Sequence, residues 1–177
     1  MLSTSMKRIG VEQAFKKMPP GINLWGKVLE ALGNIYLSFI DFPVTSVDLV
    51  LGDEEYSLES YGIYGKVIYT PGHSPGSMSL LLDTGDAFVG DLVMNGFPMR
   101  ISLGKPIFAE NANVLQESWR LLLSRGAKQI HPGHGKPFDA GCIRKIIMKS
   151  YFSIGRRCGS TRCHFLFVIS FNLHQKA

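Results

Sequence analysis

The stretch Thr70-Pro71-Gly72-His73-Ser74-Pro75-Gly76-Ser77 decides how the whole chain is read. It follows a β-like run at residues 65–70. Its two prolines restrict the backbone on either side of one histidine, and its glycines permit the turns. An imidazole whose direction is set by the chain suits a metal ion, because loosely held ligands bind poorly. The same octapeptide also reads as a turn that merely contains a histidine, and alone it does not separate the two.

Two further motifs lie downstream at the ends of β-like runs. Gly90-Asp91 closes the run of residues 87–90; a carboxylate there ligates a cation, bridges two cations, or caps the next turn. His131-Pro132-Gly133-His134-Gly135 follows the run of residues 127–131. The glycines flanking His134 allow backbone and ligand to approach closely, which makes it the ligand candidate. His131, on the strand itself, reads as a core residue or as a group that orients a ligand.

Outward from these motifs the chain alternates short strands with helices. Residues 78–83 and 87–90 flank Thr84-Gly85-Asp86 as a hairpin, and residues 47–51 precede a turn at Gly52-Asp53-Glu54-Glu55. Residues 111–124 carry a helix with Leu115, Trp119 and Leu122 on one stripe and Gly126 placed to stop it. Upstream, Asn23 is placed to cap a helix whose Leu24, Val28, Leu32, Ile35 and Phe39 recur at helical spacing, and Phe42-Pro43 ends it. That stripe is expected to pack on a core, since the polar face lacks the Lys and Arg of an interfacial helix. Residues 1–18 show a weak helical pattern, broken at Pro19-Pro20-Gly21. Residues 1–149 are expected to form one partial domain. No pattern is read beyond Phe138, and residues 150–177 are expected to be a disordered, basic tail.

Composition narrows the classes. The 177 residues are 45% hydrophobic and 19% charged, which supports a real core and excludes collagen-like, coiled-coil and disordered readings. The formal charge of +5 is unevenly spread. Residues 1–140 hold twelve basic and all fourteen acidic side chains, whereas residues 141–177 hold seven basic and none acidic. Without an aromatic platform beside it, a basic tail does not predict nucleic-acid binding. Cys142, Cys158 and Cys163 form no Cys-x-x-Cys pair, and an odd, clustered count favours a reducing compartment. With no signal-peptide pattern and no run long enough to span a bilayer, the expected location is cytoplasmic, with no membrane partner.

Taken together, strand, loop with His73, hairpin, Asp91, helix, strand and His134 form an order that resembles the C-terminal half of the metallo-β-lactamase fold superfamily of metal-dependent hydrolases. The resemblance covers residues 44–138. It implies an α/β fold, a four-layered αββα sandwich, with one or two metal ions at a sheet edge. Zinc is the metal favoured, since it suits mixed imidazole and carboxylate sites. By the same resemblance His73 binds the first metal, Asp91 bridges both, and His134 binds the second. The metals would lower the pKa of a bound water and polarise a carbonyl or phosphoryl group of a small-molecule ester, thioester, lactam or phosphodiester.

One departure is large. The family's upstream His-x-His-x-Asp-His motif has no counterpart here, because the first histidine in the chain is His73. The remaining residues leave each metal with one histidine and a shared carboxylate, short of the three protein ligands that a catalytic zinc normally keeps. The expectation is therefore an N-terminally incomplete member of the superfamily. An uncovered sheet would expose an apolar face and an unpaired edge, so a second copy or a completing chain is expected as partner. The competing reading is a degenerate, non-catalytic module. A nuclease reading rests on the basic tail alone, and no nucleic-acid-binding insertion accompanies it.

Overall fold

A computed structural model describes residues 18–40, 49–96, 100–102 and 104–157. The expectations for residues 1–17, for 41–48, and for the tail beyond Arg157, including Cys158 and Cys163, lie outside the described residues. The chain divides between Ala140 and Gly141 into two units.

Among the described residues of the first unit, short strands and α-helices follow one another: α1 (Leu24–Leu37), β1 (Tyr56–Ser57), β2 (Gly65–Tyr69), β3 (Met78–Leu82), β4 (Asp86–Met94), β5 (Arg100–Ser102), β6 (Lys105–Pro106), α2 (Ala112–Ser124), β7 (Gln129–His134) and β8 (Phe138–Asp139). Six strands form one sheet in the order β1-β2-β3-β4-β7-β8, and β5 pairs with β6 alone. All sheet contacts are antiparallel except that of β4 with β7, which is parallel. Parallel neighbours need a crossover, and α2 lies in the connection that supplies it. Gly85 makes the β3–β4 turn with φ of 97°, a left-handed value that glycine tolerates without strain.

The two faces of this sheet differ. On one, Ile68, Leu81, Ala87, Val89 and Ile130 are buried. On the other, Val67, Leu80, Phe88 and His131 stand in register across four strands. That row is only partly covered, and Phe88 remains 44% exposed. The His131 ring stacks on Phe88, with centroids 4.5 Å apart and planes 19° from parallel.

The helices begin as their caps predict. The Asn23 side chain accepts from Gly26 N, and that of Asn111 accepts from Asn113 N and Val114 N. α2 buries Leu115, Ser118, Trp119 and Leu122, the expected stripe with one serine added. α1 overturns its expectation. Leu24, Val28, Leu32, Ile35 and Phe39 are all exposed, and Gly26 is the buried residue of the helix. The reason is geometric: Gly26 meets the backbone of Ile107, and Leu29 packs on the cluster of Met94, Ile107 and Phe108, so the opposite side of the helix turns outward.

Three strand ends also differ. Residues 49–51 form no strand, β4 runs on past Gly90 to Met94, and β7 carries on through Pro132-Gly133-His134. Beyond Phe138, where the sequence shows no pattern, the structure has β8 and, as the described part of the second unit, the helix α3 (Gly141–Arg157). No helix among the described residues is long and apolar enough to cross a membrane.

Candidate active site

His73 is held by the loop that follows β2. Thr70 N donates to Ser77 O at 2.9 Å, and the buried hydroxyls of Thr70 and Ser79 bond at 2.8 Å, which closes the base of the loop. Ser118 Oγ of α2 donates to Pro71 O at 2.7 Å. Gly72, with φ of 130°, lies so close to α2 that a Cβ there would fall 2.4 Å from Leu115 backbone atoms. The loop is thus pinned at both ends before the imidazole is reached.

The ring itself is oriented by a carbonyl. His73 Nδ1 lies 3.0 Å from Phe108 O. A carbonyl only accepts, so this nitrogen carries a proton, and in the neutral ring Nε2 holds the lone pair. That lone-pair nitrogen stands 3.8 Å from Asp91 Oδ2. The other carboxylate oxygen, Oδ1, stands 3.5 Å from His134 Nε2. Both gaps exceed hydrogen-bonding distance. Asp91 is therefore divided between the two imidazoles, one per oxygen, without being bonded to either.

Asp91 reaches this position because β4 is irregular. Its pairing with β7 shifts register on both sides of Gly90, whose φ of 53° is left-handed. Asp91 lies within the strand, at this irregularity, rather than past the strand's end. Trp119 Nε1 donates to Leu92 O at 3.0 Å and fixes the next residue. On β7, a Cβ at Gly133 would come within 2.8 Å of Asp91 Oδ1, so this glycine makes room for the carboxylate. Asn95 N donates to His134 O at 2.8 Å and holds the far imidazole's backbone.

The three side chains form a graded row, 14% exposed at His73, 36% at Asp91 and 48% at His134. They line an open edge. A separate cleft of about 70 Å³, lined by residues that include Ile22, Pro106, Leu115 and Trp119, is small beside the roughly 300–1,000 Å³ of usual ligand pockets. Met94 and Phe108 are buried in the core, and residues 97–99 lie outside the described residues.

His131 stands apart from this row. Its Nε2 lies 2.8 Å from Asp86 Oδ1, on the partly open sheet face. The Thr84 hydroxyl and then the His131 bond hold the Asp86 carboxyl below its ordinary value. At the opposite edge, Lys66 and then Arg125 do the same for Glu55. Neither carboxylate touches the His73–Asp91–His134 row.

The donor set tests the implied metal directly. Each side of Asp91 offers one imidazole and one carboxylate oxygen, two donors where a catalytic zinc keeps three from the protein. Among the described residues no group of three or more His, Cys, Asp or Glu is placed to hold a metal ion. These residues do not by themselves fit a complete metal centre.

A mixed sheet with helices thus brings His73, Asp91 and His134 to one edge. Solved structures that this chain resembles include metallo-β-lactamase superfamily proteins. One is an archaeal member of the superfamily from Sulfolobus tokodaii, 23% identical, with a TM-score of 0.46 over 70% of this chain and 49% of that one. DIM-1 metallo-β-lactamase is 24% identical, with a TM-score of 0.46 over 58% and 47%. A metallo-β-lactamase family protein from Thermus thermophilus is 19% identical, with a TM-score of 0.45 over 63% and 37%. The chain spans about half the length of the first of these. No protein-family model and no curated protein matches the sequence. The overlap is partial in both directions, so the chemistry of the site rests on this chain's own residues.

Proposed function

We propose that this chain carries part of a zinc-dependent hydrolase of the metallo-β-lactamase type, acting on an ester, thioester, lactam or phosphodiester. His73, Asp91 and His134 are the share of the active edge that it contributes. The observation that carries the proposal is the division of Asp91, with one oxygen facing each imidazole. A carboxylate held only to stabilise a histidine would bond to it, as Asp86 does to His131 at 2.8 Å. In this reading Phe108 O fixes the His73 tautomer, and Gly133 leaves room for the carboxylate. A cytoplasmic location belongs to the same proposal, supported by the odd, clustered count of three cysteines in the sequence.

The donor deficit favours a second reading, a non-catalytic module in which the row is a remnant. Equilibrium dialysis of the full chain against zinc, with His73→Ala and His134→Ala beside it, separates the two. The hydrolase reading expects zinc uptake by the wild type that falls at least about tenfold in affinity in each variant, since each removes one of two donors. It further expects zinc-dependent cleavage of at least one of a nitrophenyl ester, a thioester, a β-lactam or a phosphodiester, lost in Asp91→Asn. Zinc uptake identical in all three proteins, or no uptake at all, establishes the module reading instead.

A further inference from the structure

We infer that the exposed face of α1 is a self-association surface, on which two copies of this chain pair their α1 helices antiparallel about a twofold axis. Trp25, Val28, Leu32, Ile35 and Phe39 recur at alternating steps of three and four residues, the spacing of a helix-pairing seam. Their exposures are 49, 43, 58, 60 and 83%, so the whole seam faces outward.

The seam is nearly symmetric about its centre. From Leu32 its members stand seven and four residues before, and three and seven after. Turned end for end, it fits itself: Leu32 meets the partner's Leu32, Val28 meets the partner's Ile35, and Trp25 meets the partner's Phe39. Such self-complementarity is what an isologous interface requires.

Charge agrees with this occupant. Lys27 and Glu30 are the only charged residues of α1, and both fall off the seam. Its flanks, Leu24, Ala31 and Tyr36, are uncharged, so nothing repels a second copy and nothing selects an oppositely charged partner. A lipid surface is disfavoured, because a helix lying on a membrane carries several Lys or Arg along its polar face and α1 has one. With Leu24 at 81% and Tyr36 at 68% exposure beside the seam, the apolar surface is of the order of the ~800 Å² per partner of a standard interface.

The test is sedimentation of the full chain from about 1 to 100 µM, a range matching micromolar association, with tryptophan emission read in parallel. The sequence has two tryptophans, and Trp119 is 1% exposed, so a shift with concentration reports on Trp25. A dimer is expected whose emission moves to the blue as it forms. Leu32→Glu should raise its dissociation constant at least about tenfold by placing like charges face to face, and mixing Leu32→Glu with Leu32→Lys should restore the dimer. If Leu32→Glu loses its helical circular dichroism, Phe39→Glu, beyond the helix end, repeats the test. A monomer throughout the range overturns the inference, as does a dimer indifferent to both glutamates. A monomer whose Trp25 emission shifts only on phosphatidylcholine vesicles also overturns it, in favour of a lipid surface.

Discussion

α1 and α2 are near twins in sequence logic and opposites in the structure. They have 14 and 13 residues, an asparagine cap each, and a long apolar stripe. α2 buries its stripe, and Trp119 reaches through to Leu92 O. α1 buries Gly26 and leaves seven large apolar side chains, from Leu24 to Phe39, in the open. The difference teaches that helical periodicity identifies a face that wants cover without saying what provides it. α2 lies in a crossover that lays it beside its own sheet. α1 is attached by its glycine side, which leaves the apolar stripe to something else.

The largest break in this comparison comes from the two tryptophans. Trp119→Ala is expected to cost about 3–5 kcal/mol of unfolding free energy, from the cavity and the lost bond to Leu92 O. Trp25→Ala should change the stability of the monomer by no more than about 0.5 kcal/mol, as surface substitutions do. Urea unfolding of both variants at low protein concentration checks the contrast, and equal losses would show that α1 is covered within one chain.

The caps give a smaller and more even effect. Asn111→Ala and Asn23→Ala should each cost about 1 kcal/mol, because each asparagine satisfies amide protons of its helix's first turn. Thermal unfolding reads both. A cost confined to Asn111 would mean that α1 adds nothing to the stability of the unit.

The smallest effect lies on the open sheet face and is read through pH. Thr84 and His131 lower the Asp86 pKa in the folded chain relative to the ordinary 3.8. A depressed carboxyl pKa contributes stability that is fully present above the unfolded value and disappears as pH falls through the folded one. The stability difference between wild type and Asp86→Asn should therefore be steady near neutrality and shrink below about pH 4. Melting temperatures of the pair at pH 6 and pH 3 measure it, and a difference that grew on acidification would reverse the sign.

Much of the site was legible in the sequence because it is written in side chains. Proline and glycine around His73, and glycine around His134, mark loops that fix an imidazole, and the structure brings both beside Asp91. What could not be read is written in backbone. The carbonyls of Phe108 and Pro71 orient His73 and its loop, yet a carbonyl leaves no trace in residue identity. Gly133 carried a signal, but it read as room for a ligand, whereas the group it admits is the Asp91 carboxylate. The strands were legible where glycine or proline bounded them, and β4 was cut short because Gly90 marks an irregularity within the strand. The α1 stripe failed for another reason: burial belongs to an arrangement in space, and hydrophobicity supplies only the demand for it.

Residues 107–109 join two parts of the molecule that otherwise look unrelated. On one side Ile22 N donates to Ile107 O at 2.9 Å and Ala109 N to Pro20 O at 3.1 Å, so this short segment is laced to the lead-in of α1. On the other side its Phe108 carbonyl sets the tilt and the protonated nitrogen of His73. The start of the exposed helix and the more buried imidazole of the open edge thus hang from the same three residues. The lead-in of α1 is in this way tied, through one three-residue segment, to the carbonyl that orients the His73 ring.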